Sequence, residues 1–212
     1  MAFSNKRIQN MGNKPHLIML DNFDSFTYNL LDYFLVLGCE VTVVRNDIAP
    51  KNTPSNFDML VISPGPGRPE TAGYLMSYID HYYLQKPIFG VCLGMQAINL
   101  YCGGTLRMVA PVHGKHDQVF HHSQGIYKGI GNPMKVGRYH SLAVDRVPEN
   151  LMISAWNKDG ITMTLEDKNR PMRGVQFHPE SILSIENNNG MRLLANVLAK
   201  DLQFYTDALQ PI

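Results

Sequence analysis

Cys92 sits in Ile88-Phe89-Gly90-Val91-Cys92-Leu93-Gly94-Met95-Gln96, with a glycine two residues away on either side. An apolar run leads in and a helix-like run leads out. This is the spacing of a nucleophile elbow, G-x-S-x-G, with sulfur in place of oxygen. The glycines let the backbone turn sharply and let neighbouring chain come close. A cysteine at the start of a helix faces the positive end of the helix dipole, which favours thiolate over thiol. Such a thiolate attacks carbonyl carbon and needs a base beside it. Gln176-Phe177-His178-Pro179-Glu180-Ser181 supplies one, with His178 as base and Glu180 as the carboxylate that fixes its tautomer. Pro179 biases His178 towards extended chain, where side chains two apart point the same way, roughly 6.5–7 Å along the strand. Attack on an amide or ester yields an oxyanion, for which each backbone N–H contributes on the order of 3 kcal/mol. The N–H of Leu93 is one donor. Ser63-Pro64-Gly65-Pro66-Gly67 offers a second from Gly65 or Gly67, since Pro66 has no N–H.

Other readings of these residues are weaker. A lone cysteine among apolar residues is commonly inert core, but a plain core strand has no need of the flanking glycines. The Pro64–Gly67 loop lacks the Lys-Ser/Thr that ends a phosphate-binding loop, which excludes nucleotide binding there. His113, His116, His121 and His122 lack acidic or cysteine ligands at fitting spacing and read as a solvated loop, so no metal site is expected. Cys39 and Cys102 read as small core residues, and three cysteines without a CxxC pair fit a reducing cytosol.

The elements that must position this chemistry follow from the apolar pattern. Strands are expected at His16–Leu20, Val41–Val44, Leu60–Ile62 and Pro87–Val91. Helices are expected after a cap at Asp24 or Ser25 as far as Leu37, around Tyr74–Ile79, and at Met95–Cys102. Alternating strands and helices predict an α/β fold, an open and mostly parallel twisted sheet with helices on both faces. The second half adds strands at Val109–Val119, Lys135–Val144, Leu151–Trp156, Ile161–Leu165 and Arg173–Phe177, a small antiparallel portion on the same sheet. A last helix covers roughly Asn188–Leu202, with Met191, Leu194, Ala195 and Leu198 on one face. Residues 1–15 form a polar N-terminal extension and 16–212 one domain. Ligands of such sheets bind beyond the carboxyl ends of the strands, where Cys92 and the Ser63–Gly67 loop both fall.

The 212 residues carry 19 Lys+Arg against 18 Asp+Glu, so neither nucleic acid nor an anionic membrane is an expected partner. No apolar run is long enough to span a bilayer, and the polar N-terminus lacks a signal core, so a cytoplasmic location is expected.

Phe89–Gln96, Ser63–Gly67 and Gly174–Ser181 resemble the three signature blocks of class I, triad-type glutamine amidotransferases, and the resemblance runs from Leu17 to about Leu202. Leu20–Leu30, Val112-His113-Gly114-Lys115 and Arg138-Tyr139-His140-Ser141-Leu142 look like the glutaminase subunit of anthranilate synthase, whose close relative serves aminodeoxychorismate synthase. The resemblance implies that Cys92, His178 and Glu180 hydrolyse L-glutamine through a thioester. By the same pattern Gly65, Pro66 and Gly67 line the glutamine pocket and Leu93 lends its N–H. Gln96 contacts the substrate, and backbone around Ser141 and Leu142 holds its amino-acid end. Ammonia would pass to a chorismate-using large subunit making anthranilate, or alternatively to its aminodeoxychorismate counterpart. No cofactor is implied on this chain, and magnesium is expected on the partner. The Tyr139–Leu142 and His113–Lys115 segments are expected to touch that partner. Met95 stands where most close relatives carry histidine. Two other readings are a free-standing cysteine hydrolase and a binding partner that has lost catalysis.

Overall fold

The computed structural model describes residues 14–112, 114–184 and 186–206. Uninterrupted apolar strands need cover on both faces, and they receive it. In β1 (His16–Asp21), Leu17 and Met19 pack to one side and Ile18 and Leu20 to the other, all fully buried. Beside β1 lies β2 (Glu40–Arg45) on one flank and β3 (Met59–Ile62) on the other, both parallel to it. β3 and β4 (Ile88–Val91) repeat the alternation: Met59, Val61, Phe89 and Val91 join Leu17 and Met19, while Leu60, Ile62 and Ile88 join Ile18 and Leu20. Helices α1 (Thr27–Val36) and α4 (Asn189–Leu202) cover the first face. Helices α2 (Leu75–Tyr82) and α3 (Leu93–Tyr101) cover the second. Each large apolar side chain buried this way contributes about 1.5–3 kcal/mol.

The remaining strands are β5 (Leu106–Met108), β6 (Lys115–His121), β7 (Met134–Arg138), β8 (Leu142–Val144), β9 (Leu151–Asn157), β10 (Thr162–Asp167) and β11 (Met172–Val175). Among the described residues the main sheet runs β2-β1-β3-β4-β11-β10-β9-β6-β7. It is parallel from β2 to β11 and antiparallel from β10 outward. The expected architecture is therefore the observed one, and β11 is the joint between the halves.

Two expected strands divide. Val109–Val119 is strand only from Lys115, because Val109 and Val112 turn away to bond Ser141 and His140. Lys135–Val144 is two strands in two sheets: β7 closes the main sheet, while β8 pairs with β5 in a separate two-stranded sheet. The break between them, Tyr139–Ser141, folds towards the carboxyl edge of β4 and shapes the pocket there. The polar extension lies outside the described residues as far as residue 13. No helix among the described residues is long and apolar enough to cross a membrane.

Candidate active site

The elbow is built from close contacts that only glycine permits. Cys92 follows β4 directly and precedes α3 at φ 52°, ψ −99°, a conformation that strains any residue with a side chain. A Cβ on Gly90 would lie 2.4 Å from the carbonyl carbon of Gly94, and one on Gly94 would lie 2.8 Å from the Ile62 carbonyl oxygen. On β11, a Cβ at Gly174 would meet the Gly90 carbonyl oxygen at 2.8 Å. The start of α3 thus sits directly on the three central strands. The Cys92 N–H donates to the Val175 carbonyl at 2.7 Å, tying the elbow to the end of β11.

That tie brings the histidine into place. β11 runs parallel to β4 in the register Gly174–Gly90 and Val175–Val91, so the chain after Val175 leaves on the same edge as Cys92. The His178 N–H then donates to the Gly137 carbonyl at 3.2 Å, in a single antiparallel bridge to β7. Beyond His178 the chain turns instead of staying extended: Ser181 N–H donates back to the His178 carbonyl at 3.2 Å, as does the Ser184 hydroxyl at 2.6 Å. The turn, rather than strand alternation, brings Glu180 Oε1 to 2.8 Å from His178 Nδ1. Because a carboxylate only accepts, Nδ1 carries a proton. Nε2 is buried and faces the Cys92 sulfur. Burial lowers the His178 pKa, but the Glu180 carboxylate and the Cys92 sulfur more than offset it and raise it well above the ordinary histidine value. Phe26 and Tyr139 wall the ring, each with its centroid 4.9 Å from that of the imidazole.

A pocket of about 140 Å³ opens at Cys92, lined by Gly65, Pro66, Gly67, Gln96, Tyr139, His140, Ser141 and Leu142. The glycine loop is fixed from below. Asn22 Nδ2 donates to the Ser63 carbonyl at 2.9 Å, and Asn46 Nδ2 donates to Asn22 Oδ1 at 3.0 Å. Of the candidate residues, Cys92, Gly65, Pro66, Gly67, Gln96, Ser141 and Leu142 meet in this one space. Leu93 does not line it with its side chain, which is buried in the core on the α2–α3 face. What Leu93 can offer is its backbone N–H in the first turn of α3, where helix N–H groups have no partner within the helix.

Tyr139 and His140 shape the pocket, although the sequence pattern marks neither as a site residue. They were expected on a partner-facing surface together with Ser141, Leu142 and the His113–Lys115 segment. Within the chain His140 and Leu142 are buried and Tyr139 and Ser141 half-buried, because the β7–β8 break folds them inward; Gly114 and Lys115 are exposed, and His113 lies outside the described residues. His140 is locked from behind. Arg138 Nε, a donor only, bonds His140 Nε2 at 3.0 Å, so Nδ1 carries the proton and donates to the Leu142 carbonyl at 2.8 Å. Burial, then the Arg138 charge, push the His140 pKa down to about 4. Arg138 is itself paired with Asp117 at 2.5 Å.

The histidines read as a solvated loop are differently placed. His116 and His121 belong to β6, and His121 is buried and stacked on Tyr127 with centroids 4.2 Å apart. Among the described residues no group of His, Cys, Asp and Glu is arranged to hold a metal ion.

A cysteine on a strained strand-to-helix turn, a buried His–Glu pair beside it and a pocket at the carboxyl edge of a parallel sheet define an α/β protein built for acyl transfer through sulfur. The family model for glutamine amidotransferase class-I matches residues 18–200, and the chain belongs to that family. It is 43% identical over 190 residues to aminodeoxychorismate synthase component 2 of Escherichia coli, covering 86% of this chain and 98% of that one. It is 42% identical over 181 residues to anthranilate synthase component 2 of Haemophilus influenzae, covering 82% and 92%. Among solved structures, a protein described as a GMP synthase subunit from Thermoplasma acidophilum superposes with a TM-score of 0.80 at 23% identity, covering 91% and 96% of the two chains, a likeness of fold.

Proposed function

We propose that this chain is the glutaminase subunit of a chorismate-using synthase. It hydrolyses L-glutamine at Cys92 and passes ammonia to a large subunit that makes anthranilate. The observation that carries this reading is the His178–Glu180 pair, 2.8 Å apart, set against Cys92 at the pocket lined by Gly65, Pro66, Gly67 and Gln96. Sulfur attacks the side-chain carboxamide carbon of glutamine. The N–H groups of Leu93 and of Gly65 or Gly67 receive the oxyanion. His178 gives its proton to the departing nitrogen, the C–N bond breaks, and ammonia leaves a glutamyl thioester. His178 then takes a proton from water, which attacks the thioester, releasing glutamate and restoring the sulfur. Chorismate and magnesium chemistry belong, on this reading, to the partner subunit.

The similarity to the Escherichia coli component 2 supports a second destination for the ammonia, aminodeoxychorismate. Mixing the chain with each purified large subunit, glutamine and chorismate separates the two. Glutamine-dependent anthranilate fluorescence with the large subunit of anthranilate synthase is the expected result. Product formation only with the large subunit of aminodeoxychorismate synthase places the chain in that enzyme. Glutamate release with neither partner, together with labelling of Cys92 by peptide or ester probes, would mark a free-standing hydrolase.

A further inference from the structure

Gln176 is fully buried at the end of β11, two residues before His178, and the hydrolytic steps make no use of it. Its backbone N–H donates to the Met163 carbonyl at 2.9 Å, which anchors it to β10. Its side chain lies between Gln96 and the Cys92 sulfur. The orientation of both amides follows from chemistry. The Leu142 carbonyl can only accept, so the Gln96 atom 3.0 Å from it is Nε2. That nitrogen has a second hydrogen, directed at Gln176 Oε1 at 3.2 Å. With Oε1 turned to Gln96, the Gln176 NH2 group faces Cys92 Sγ at 3.5 Å. Both hydrogens of Gln96 Nε2 are thereby engaged, at a residue that lines the pocket.

We infer that Gln176 donates an amide N–H to the Cys92 sulfur and holds it, as thiolate, in its attacking position, its own orientation being set by Gln96 and the Leu142 carbonyl. This rests on the glutaminase reading for its consequence in turnover, not for the contact itself. His178 faces the sulfur as a proton carrier whose charge changes during the cycle. Gln176 faces it as a donor whose hydrogens never leave. Before attack the protonated ring and the Gln176 amide both face the sulfur; once the ring has given its proton to the departing ammonia, the sulfur is bonded in the thioester and the ring is neutral. The Gln176 amide remains through that step and receives the sulfur again when the thioester is cleaved. The string from Leu142 through Gln96 and Gln176 to Sγ also joins the wall of the pocket to the nucleophile, so displacement of Leu142 reorients the donor.

Two substitutions and one measurement on the unmodified chain test this. Gln176→Glu keeps the volume and the acceptor towards Gln96 but removes the donor and places a negative charge beside the sulfur. In the complex with its large subunit, kcat for glutamine is expected to fall about 100-fold, with KM within a few-fold of wild type. The rate of Cys92 alkylation by iodoacetamide in the same chain is expected to reach half-maximum at higher pH. Gln176→Met, which removes both bonds without adding charge, is expected to lose less and to move the alkylation profile less. Wild-type kcat and an unshifted alkylation profile in either folded variant would overturn the inference. In wild type, the side-chain amide 15N–1H signals of Gln176 are expected to move when Cys92 is alkylated; unmoved signals count against the contact even if both variants misfold. A wild-type complex that consumes no glutamine, while alkylation and amide signals behave as expected, refutes the glutaminase reading and leaves the contact standing.

Discussion

His178 Nδ1 stands 2.8 Å from Glu180 Oε1, while its other ring nitrogen is buried and faces the Cys92 sulfur. The carboxylate therefore decides which nitrogen is protonated, and with it whether Nε2 can serve the sulfur. Glu180→Gln changes that decision, because an amide can donate to Nδ1 and send the proton to Nε2. Glutamine hydrolysis is expected to fall by about 10³–10⁴-fold, as for a triad that loses its orienting carboxylate. The stability effect has a direction too. A histidine whose folded pKa is raised contributes stability fully present below about 6.5, its unfolded value, and lost as pH rises through the folded value. The gap in unfolding free energy between wild type and Glu180→Gln is thus expected to be widest on the acid side of neutrality. A gap that widens with rising pH in urea titrations would contradict the charge pairing.

Cys92 holds φ 52°, ψ −99°. Such a conformation costs of order 1–3 kcal/mol for a residue with a Cβ. Glycine escapes most of that but loses about 0.5–1 kcal/mol in chain entropy. Both Cys92→Ala and Cys92→Gly are expected to be inactive with glutamine. Of the two, Cys92→Gly is expected to be the more stable, by about 1 kcal/mol, in chemical denaturation. Equal stability would mean that the elbow relaxes when sulfur is removed.

Gly174→Ala tests how rigidly the elbow is seated. The added Cβ would lie 2.8 Å from the Gly90 carbonyl oxygen and 2.8 Å from the Met95 Cα, both backbone atoms on separate elements. Overpacking of this kind costs about 1–3 kcal/mol, and here it pushes both α3 away from the sheet and β4 away from β11. A lower melting temperature together with slower alkylation of Cys92 is the expected result. Unchanged alkylation in a destabilised protein would show that the strain is absorbed elsewhere.

The parallel half of the sheet and the elbow were legible because their signals are local. Apolar runs such as Leu17–Leu20 and Leu60–Ile62 are buried on both faces, and Gly90 and Gly94 announce a close approach within five residues of each other. The Ser63–Gly67 loop was placed by following a strand. Glu180 was paired with His178 for the wrong backbone reason: a turn closed by Ser181 and Ser184 does what extended chain was expected to do. Tyr139, His140 and Phe26 were hidden because their roles depend on long-range contacts. Phe26 comes from the start of α1, and His140 is buried only because Lys135–Val144 breaks in two and Arg138 bonds it from the side. No periodicity in that segment marks the break. Gln176 stands inside the same motif as His178, but its contact with sulfur needs the β4–β11 register to be known.

His140 offers a test in acid. It lines the pocket with its ring neutral, Nε2 accepting from Arg138 and Nδ1 donating to the Leu142 carbonyl, and its pKa is depressed to about 4. In the unfolded chain it takes a proton near 6.5. Above that value the ring is neutral in both states and its contribution is intact. As pH falls from about 6.5 to 4 the unfolded chain binds a proton that the folded chain refuses, and stability of about 3 kcal/mol is lost, complete once pH passes below the folded value. His140→Asn keeps a donor for the Leu142 carbonyl and has nothing to titrate. Its unfolding free energy is expected to decline less steeply than that of wild type between pH 6.5 and 4, with the carboxylates common to both cancelling in the difference. Turnover gives an independent reading. A ring that remains neutral down to about 4 leaves the pocket wall unchanged across neutrality, so KM for glutamine is expected to show no inflection near pH 6.5 that His140→Asn removes. Such an inflection would mean that His140 gains its proton in the folded protein, and that Arg138 does not hold Nε2 as an acceptor.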